Sequence, residues 1–554
     1  MKLRLLTSIM GGMLVAASAW AIPFDNSSGG PATATVNAGG GADYTSLAGA
    51  VAAFDAVAGG INRPWTLEIQ SNLTETADSY IANTFGPAGS LTIKPAAAAQ
   101  PIIDFTNLTA PAGIYGHLVI GCTTGAVLPD STNTFSSNNN YVIDGSNTVG
   151  GTTRDMTLRW VAGNSPTNRI IRIWANNHGM VIKNLTIDFQ DTAGTNSCIG
   201  LAAGTATGIT GRLAPNNTVI QNCLLKGLGA ANSCFGVDSS PSANGVLPAG
   251  TAIEGTQILN NDIIAKQRGI FMNAFGSATI ADNRITITSG TGAALSYQGI
   301  FHFTSNGAEG WTQNVYNNRI EMPGVPTTTA EQGAYGILMD SQPVVGTYNI
   351  YNNNIKNIIF ATATAGDYIY RGITASSVNS NYMIEHNSLD LPANNVVTAA
   401  TNHRVGGVVG VLQFTTGSLT VRNNIIRFGN TGTSATLISL ASAAAVTCAG
   451  NNLVPAGTPN VGIVVPNAYT TLAAWQGAGF DSLASGGQSA DPTGTTPAWD
   501  ADLHFASKPI AGMGTVQTST FLTDIDGNPR PASGAVPGSD EPQAHTGVSE
   551  WMMF

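Results

Sequence analysis

Val315-Tyr316-Asn317-Asn318-Arg319-Ile320, followed by Tyr335-Gly336-Ile337-Leu338, is one turn of the repeat that decides the fold. The next turn reads Ile350-Tyr351-Asn352-Asn353-Asn354-Ile355 and then Arg371-Gly372-Ile373. Outward from these, an asparagine pattern recurs at Val219–Asn222, Ile258–Asn261, Ile280–Asn283, Ile384–Asn387 and Val421–Asn424. An aliphatic residue follows two places later in most of them, as at Ile263, Ile285, Leu389 and Ile426. A glycine pattern interleaves with it, at Gly200, Gly236, Gly269, Gly299, Gly336, Gly372 and Gly407. These glycines stand 36, 33, 30, 37, 36 and 35 residues apart. Weaker members extend the series at Tyr141–Gly145, Val181–Asn184 and Cys448–Leu453.

A fixed period of this length, with strand-like patterns in each unit, predicts a solenoid of stacked coils. Side chains alternate along a strand, so every second residue points into the coil and stacks on its counterpart about 4.8 Å away. Asparagine suits the bend between two strands because it tolerates the left-handed conformation. Stacked amides also hydrogen-bond along the axis as a ladder. A flat sandwich with asparagine turns is the alternative, but sandwiches do not repeat at a fixed period. The expected fold is all-β: a right-handed parallel β-helix of about ten coils, about 50 Å long, over residues 141–455.

On these residues the chain resembles the right-handed parallel β-helix proteins of the pectate-lyase-like superfamily, with their asparagine ladder. The likeness covers residues 40–540. It implies the fold and leaves the activity open, because that superfamily includes lyases, hydrolases, esterases, adhesins and phage tailspikes.

The ends carry other signals. Lys2 and Arg4 precede an apolar stretch through Met13-Leu14-Val15 and then Ala19-Trp20-Ala21. This reads as a secretory signal peptide over residues 1–21, with no later segment long and apolar enough to span a bilayer. Residues 22–140 are expected to hold an N-terminal cap and first strands. There Tyr44-Thr45-Ser46 leads into an amphipathic helix carrying Leu47, Val51, Phe54 and Ala58, followed by strands at Trp65–Ile69 and Leu91–Ile93. A helix over the open end of a solenoid protects its exposed strand edge. Residues 456–554 read as an irregular closing segment, with Thr470-Thr471-Leu472-Ala473-Ala474-Trp475 and Asp524-Ile525-Asp526-Gly527-Asn528-Pro529-Arg530 resembling the closing segments of secreted β-helix proteins.

Charged residues are 10% of the chain, against about 25% in ordinary globular proteins. Loss of the two basic residues of the signal takes the net charge from −10 to −12. That argues against a nucleic-acid partner. It suits an exported protein, secreted or at the cell surface. Five cysteines are present, and Cys198 and Cys234 each sit two residues before a coil glycine. They are expected to stack on adjacent coils, as a disulfide or as a buried pair of thiols.

No complete catalytic motif of the superfamily is present. Gln190-Asp191-Thr192 matches only a fragment of a pectin-esterase motif. The register offers another route. With the residue after each glycine inward, the residues one before, two after and four after it face out. This stacks Arg268, Gln298, Tyr335 and Arg371; then Asp238, Phe271, Phe301 and Leu338; then Asn273, Phe303 and Asp340. Aromatic rings suit the apolar faces of sugars, and guanidinium groups bind carboxylate in a forked geometry. Arg268, Phe271, Phe301, Phe303, Tyr335, Asp340 and Arg371 are therefore the candidate substrate-binding residues, in an exposed groove or beneath covering loops. Asp238 and Asp340 lie three coils apart, at least about 14 Å, which exceeds the spacing of a glycosidase pair. Lys266 and Arg268 near Asp238 offer an incomplete lyase arrangement; Glu309 and Glu331 sit in loops beside the face. No cofactor is expected, with Ca²⁺ at Asp524 and Asp526 left open against a local salt bridge to Arg530. The expected function is binding of extracellular polysaccharide or cell-surface glycan, with no catalytic group assigned. The alternatives are a polysaccharide lyase or glycoside hydrolase, and a structural or adhesive surface protein without a sugar site.

Overall fold

The computed structural model describes residues 24–83, 85–106, 116–121, 140–162, 167–174, 178–189, 195–202, 214–228, 233–239, 252–273, 275–288, 296–305, 310–326, 332–342, 346–362, 368–376, 379–392, 409–411, 417–429, 435–442, 445–454, 460–481, 521–530 and 537–539. The signal-peptide residues, Cys122, Gln190-Asp191-Thr192, Glu309 and Glu331 lie outside them.

The chain winds as a right-handed parallel β-helix. Among the described residues three sheets of 13, 13 and 12 strands run its length; each strand pairs in parallel with its counterpart one coil away, except Asn467–Tyr469, which returns antiparallel on Asn460–Val464. The sequence marks two strands per coil, whereas the coil has three. The strand before the asparagines, as in Thr256–Leu259, belongs to what we term the entry sheet. The strand after them, as in Asp262–Ala265, belongs to the exit sheet. The glycine-marked strand, as in Arg268–Asn273, forms the glycine sheet. The stack extends past the central series in both directions. Its first strand is Ala32–Val36, and its last parallel strand is Asn460–Val464.

The inside is a column of aliphatic residues. Ile220, Ile258, Ile280, Val315, Ile350, Ile384 and Val421 stack in the entry sheet. Ile270, Ile300 and Ile337 do so in the glycine sheet. All are fully buried. The glycine beside each inward aliphatic has a steric reason. A Cβ at Gly269 would lie 2.4 Å from Ile285 Cγ2 and 2.6 Å from Gly299 O. At Gly299 it would lie 2.5 Å from Ile320 Cγ2. The exit-sheet isoleucine thus occupies the volume a side chain would need.

The bend between entry and exit strands is made by two residues with separate tasks. The first is left-handed: Asn260, Asp282, Asn317, Asn352, His386 and Asn423 have φ between 52° and 59°. The second builds the ladder. Asn261, Asn283, Asn318, Asn353, Asn387, Asn424 and Asn451 align in one buried column. The backbone N–H of each donates to the side-chain oxygen of the next, ending on Asp481 at 3.0 Å. Each Nδ2 also donates to that oxygen and to a backbone carbonyl one coil back, as Asn353 does to Val315 O at 2.9 Å. Asn222, which closes the asparagine pattern at Val219–Asn222, is a left-handed residue with φ 52°; Cys223 beside it begins the ladder by donating to Asn261 Oδ1 at 2.9 Å.

The ends are closed. The helix Leu47–Asp55 is capped by Ser46, whose hydroxyl accepts from Gly49 N at 3.1 Å. Leu47, Ala50, Val51 and Phe54 are its buried face. Glu75 of the first exit strand accepts from Leu47 N and Ala48 N, which ties the helix N-terminus to the stack. At the other end the helix Leu472–Gly477 buries Trp475 over Gly462, and the indole Nε1 donates to Asp481 at 3.1 Å.

Two segments strap the outside of the asparagine bend. Residues 146–155 cover its early coils, where Arg154 donates to Asn222 O at 2.8 Å and pairs with Asp262 at 2.6 Å. The C-terminal residues 521–530 and 537–539 cover later ones. Phe521 stacks on Tyr351, Arg530 donates to Asn352 Oδ1 at 2.9 Å, Gly538 N to Asn423 O at 2.7 Å, and Ser539 N to Ser388 Oγ at 2.9 Å. Asp524 is spent inside this strap, accepting from Asp526 N at 3.0 Å and Asn528 N at 2.8 Å. Asp526 pairs with Arg319 at 3.2 Å. Among the described residues no cluster of three metal-ligating side chains occurs.

Candidate functional site

The outer columns of the glycine sheet pair as the register predicts. Arg268 stands beside Gln298, then Tyr335, then Arg371. Asp238 stands beside Phe271, Phe301 and Leu338, and Asn273 beside Phe303 and Asp340. All seven candidates are thus on one face.

Their exposure is uneven. Phe301 is 9% exposed and Arg371 6%, while Arg268, Phe271, Phe303, Tyr335 and Asp340 are half-buried. The side chains satisfy one another. The Arg268 guanidinium lies 4.3 Å from the Phe271 ring, 5.1 Å from Phe301 and 5.3 Å from Phe235, and its Nε donates to Gln298 Oε1 at 2.8 Å. Phe271 and Phe301 stack at 5.2 Å, and Phe303 tilts against Phe301 at 5.9 Å. Arg371 sits 5.9 Å over Tyr335. Burial lowers the Arg268 pKa to about 10, against the pull of Asp238. Burial likewise lowers Arg371 and raises the Asp340 carboxyl, the latter opposed by a hydrogen bond from Ser376.

The register also corrects two readings. Gly200 is not a coil glycine: it pairs with Arg172 and Asp238 on the outer face. The inward residue of that coil is Ile199, so Cys198 takes the glycine's place. Cys234 pairs with Asn196, so Cys198 and Cys234 are out of register. Both are buried thiols, not a disulfide.

The early coils place a charged group on this face that glycine-keyed reading passes over. In Thr167–Trp174, Ile170 stands where later coils have glycine, so Arg169, Arg172 and Trp174 face out unannounced. The only signal is the alternation in Arg169-Ile170-Ile171-Arg172-Ile173-Trp174. Arg169 forks onto Asp238, with Nε 3.2 Å from Oδ1 and Nη2 on Oδ2, and Ser197 Oγ donates to Oδ1 at 2.8 Å. Burial pushes the Asp238 carboxyl up, but Arg169, Arg172 and Ser197 outweigh it and hold it below the ordinary value. Asp238 is therefore an ion-pair partner of Arg169, which removes it from the lyase arrangement with Lys266.

The exit sheet presents a different outer face. One column reads Asp104, Arg159, Asp188, Lys226, and after Ile264 and Thr286 continues Glu321, Lys356, Asp390, Arg427. Its signs alternate coil by coil. Arg159 bonds both oxygens of Asp104 at 2.7 and 2.8 Å, and Arg427 bonds Asp390 at 3.0 and 3.2 Å. A column neutralised in this way offers little net field to a charged ligand.

No family model matches the chain, and no curated protein matches it. Two solved structures of PfbA, a surface adhesin of Streptococcus pneumoniae, are similar to it at 12% identity. One match covers 72% of this chain and 89% of that one with a TM-score of 0.26; the other covers 66% and 94% with a TM-score of 0.22. Similarity of that order adds nothing to the fold that the three parallel sheets already define, and no function follows from it.

Proposed function

We propose that this chain is an exported surface protein of the adhesive kind, which holds polysaccharide or cell-surface glycan on the outer face of its glycine sheet. The observation that carries this is the row of Phe271, Phe303, Tyr335 and Asp340. They keep part of their surface in solvent on three adjacent coils of one rigid sheet. Rings with an apolar face and a polar neighbour are the surface sugars stack on. Holding is better supported than cleavage. Asp238 is committed to Arg169 and Ser197. It lies three strand spacings from Asp340, at least about 14 Å, where glycoside hydrolysis needs two carboxyls about 5 to 9.5 Å apart.

A glycan array probed with the mature protein tests the reading. A Phe303→Ala, Tyr335→Ala double variant is expected to lose at least tenfold in affinity for whatever glycan is held, with its melting curve kept. An array without signal, or a variant that binds unchanged, refutes it. Release of new reducing ends or unsaturated sugars would favour an enzyme instead.

A further inference from the structure

Arg371 is a largely buried cation on the outer face of the glycine sheet, 6% exposed. Among the described residues it makes no ion pair and no hydrogen bond, and its guanidinium lies 5.9 Å over the Tyr335 ring. Its Nε is shut off from solvent without a partner, so the end that reaches the surface is the pair of Nη groups. Other arginines differ: Arg159 holds Asp104, Arg169 holds Asp238, Arg422 holds Glu385 and Arg427 holds Asp390. Arg268, in the same column as Arg371, bonds Gln298 and packs against three rings. No carboxylate is among the groups that shift Arg371, although Asp340 acts on Tyr335 beside it. A guanidinium taken out of water without a counter-ion is destabilising, and a ligand carboxylate offsets that penalty.

The stacked pose decides what is left to donate. Contact with Tyr335 uses the face of the guanidinium, whereas its N–H groups lie in the plane. The Nη edge is therefore available, and two parallel N–H bonds from such an edge fit the two oxygens of one carboxylate. Tyr335 and Phe303 keep part of their rings in solvent on the same face. A sugar can thus lay its apolar side on a ring while its acid group reaches the arginine.

Charge limits how many acids that ligand carries. Asp340 stands on this face, and the chain carries a net charge of −10. A polymer with an acid on every sugar would bring several charges to one unengaged cation, and the rest would be repelled. One acid among neutral sugars satisfies Arg371 and leaves the other contacts to the rings. Resting on the glycan-holding reading, we propose that Arg371 selects a glycan in which a single carboxylated sugar stands among neutral ones, its carboxylate forked by the Nη edge of Arg371 and its ring against Tyr335.

The test is an array of matched triplets on glucan, galactan and mannan backbones, probed with the mature protein. Each triplet holds a neutral oligosaccharide, the same chain with one uronate, and the same chain with a uronate at every position. In the triplet that binds, the single-uronate member should bind about tenfold tighter than either other member. Its margin over the neutral member should shrink in high salt. Arg371→Met should bind the single-uronate and neutral members equally, a change in discrimination that a merely structural role would not produce. If Arg371→Met does not fold, Arg371→Lys keeps the charge, loses the fork and should lose most of the margin. Equal binding of neutral and single-uronate members by the parent protein overturns this inference and leaves the glycan-holding reading standing. Tightest binding of the fully acidic member, or a margin that persists in the Arg371 variants, also overturns it. Binding to no member of any triplet refutes both.

Discussion

Replacing Asn353 by leucine probes the feature that unites the coils. Its side chain is fully buried. Its Oδ1 accepts from Asn318 N at 3.1 Å and from Asn318 Nδ2 at 3.0 Å. Its Nδ2 donates to Val315 O at 2.9 Å, Tyr351 O at 3.0 Å and Asn387 Oδ1 at 3.0 Å. Leucine keeps the branch at Cγ but is bulkier than asparagine, so overpacking in the buried column adds to the polar terms, which set the lower bound. Asn318 N loses Asn353 Oδ1 as its acceptor, and an orphaned buried donor costs about 1–3 kcal/mol. Asn318 Nδ2 keeps Ile280 O and Tyr316 O, both at 2.9 Å, and loses little. Val315 O and Tyr351 O each lose a donor, about 0.5–1.5 kcal/mol apiece. The expected loss is about 3 kcal/mol or more. Solenoid coils interact mainly with their neighbours, so a global melt understates a local defect. Denaturant unfolding should therefore be read together with amide exchange, which is expected to accelerate around residues 315–320 and 350–355 before distant coils. A change below about 0.5 kcal/mol, the range of ordinary surface substitutions, would refute the ladder as an energetic element.

Other outcomes follow from the same geometry. Gly299→Ala should destabilise by about 1–3 kcal/mol, because its Cβ would overlap Ile320 Cγ2 and Gly336 O; an unchanged denaturation midpoint would contradict the steric account. Burial raises Asp481 from 3.8 to about 6, outweighing the donors from Asn451 and Trp475. The folded state then holds the proton more tightly than the unfolded chain, so this contribution is complete below about pH 4 and falls away as pH rises through about 6. Asp481→Asn keeps the acceptor for Asn451 and should flatten that part of the stability–pH curve. On the exit sheet, Lys356→Ala should cost less than about 1 kcal/mol, whereas Lys356→Glu sets three acids in a row and should cost more, with a loss that shrinks in high salt.

The architecture was legible wherever one residue type has one physical reason to be there. Isoleucine stacks, ladder asparagines and coil glycines each answer to a constraint that recurs every coil, so Asn261, Asn318, Asn353, Asn387 and Asn424 could be aligned from spacing alone. The left-handed residue beside them was less readable, because Asn, Asp and His all serve there. Gly200 misled because a glycine can also mark the space a neighbour's guanidinium fills, and nothing in the local sequence separates the two cases. Outward orientation at Arg268, Phe271, Phe301, Phe303, Tyr335, Asp340 and Arg371 was readable from period two. Their mutual packing was not, since side-chain direction across coils depends on coil spacing and on what else lies on the face. Arg172 escaped because Ile170 replaces the glycine that keyed the search.

The C-terminal strap changes how load would travel through this molecule. Chain leaving the solenoid at its last coil would peel, strand by strand, from an end. In this protein the segment turns back and is fastened to Asn352, Ser388 and Asn423 on the side wall. Tension applied beyond residue 539 meets those bonds first, and enters the stack several coils from its terminus. Several lateral hydrogen bonds and the Phe521–Tyr351 stack then share the force in shear. A protein held from that side would resist pulling as a riveted plate does, not as a zip.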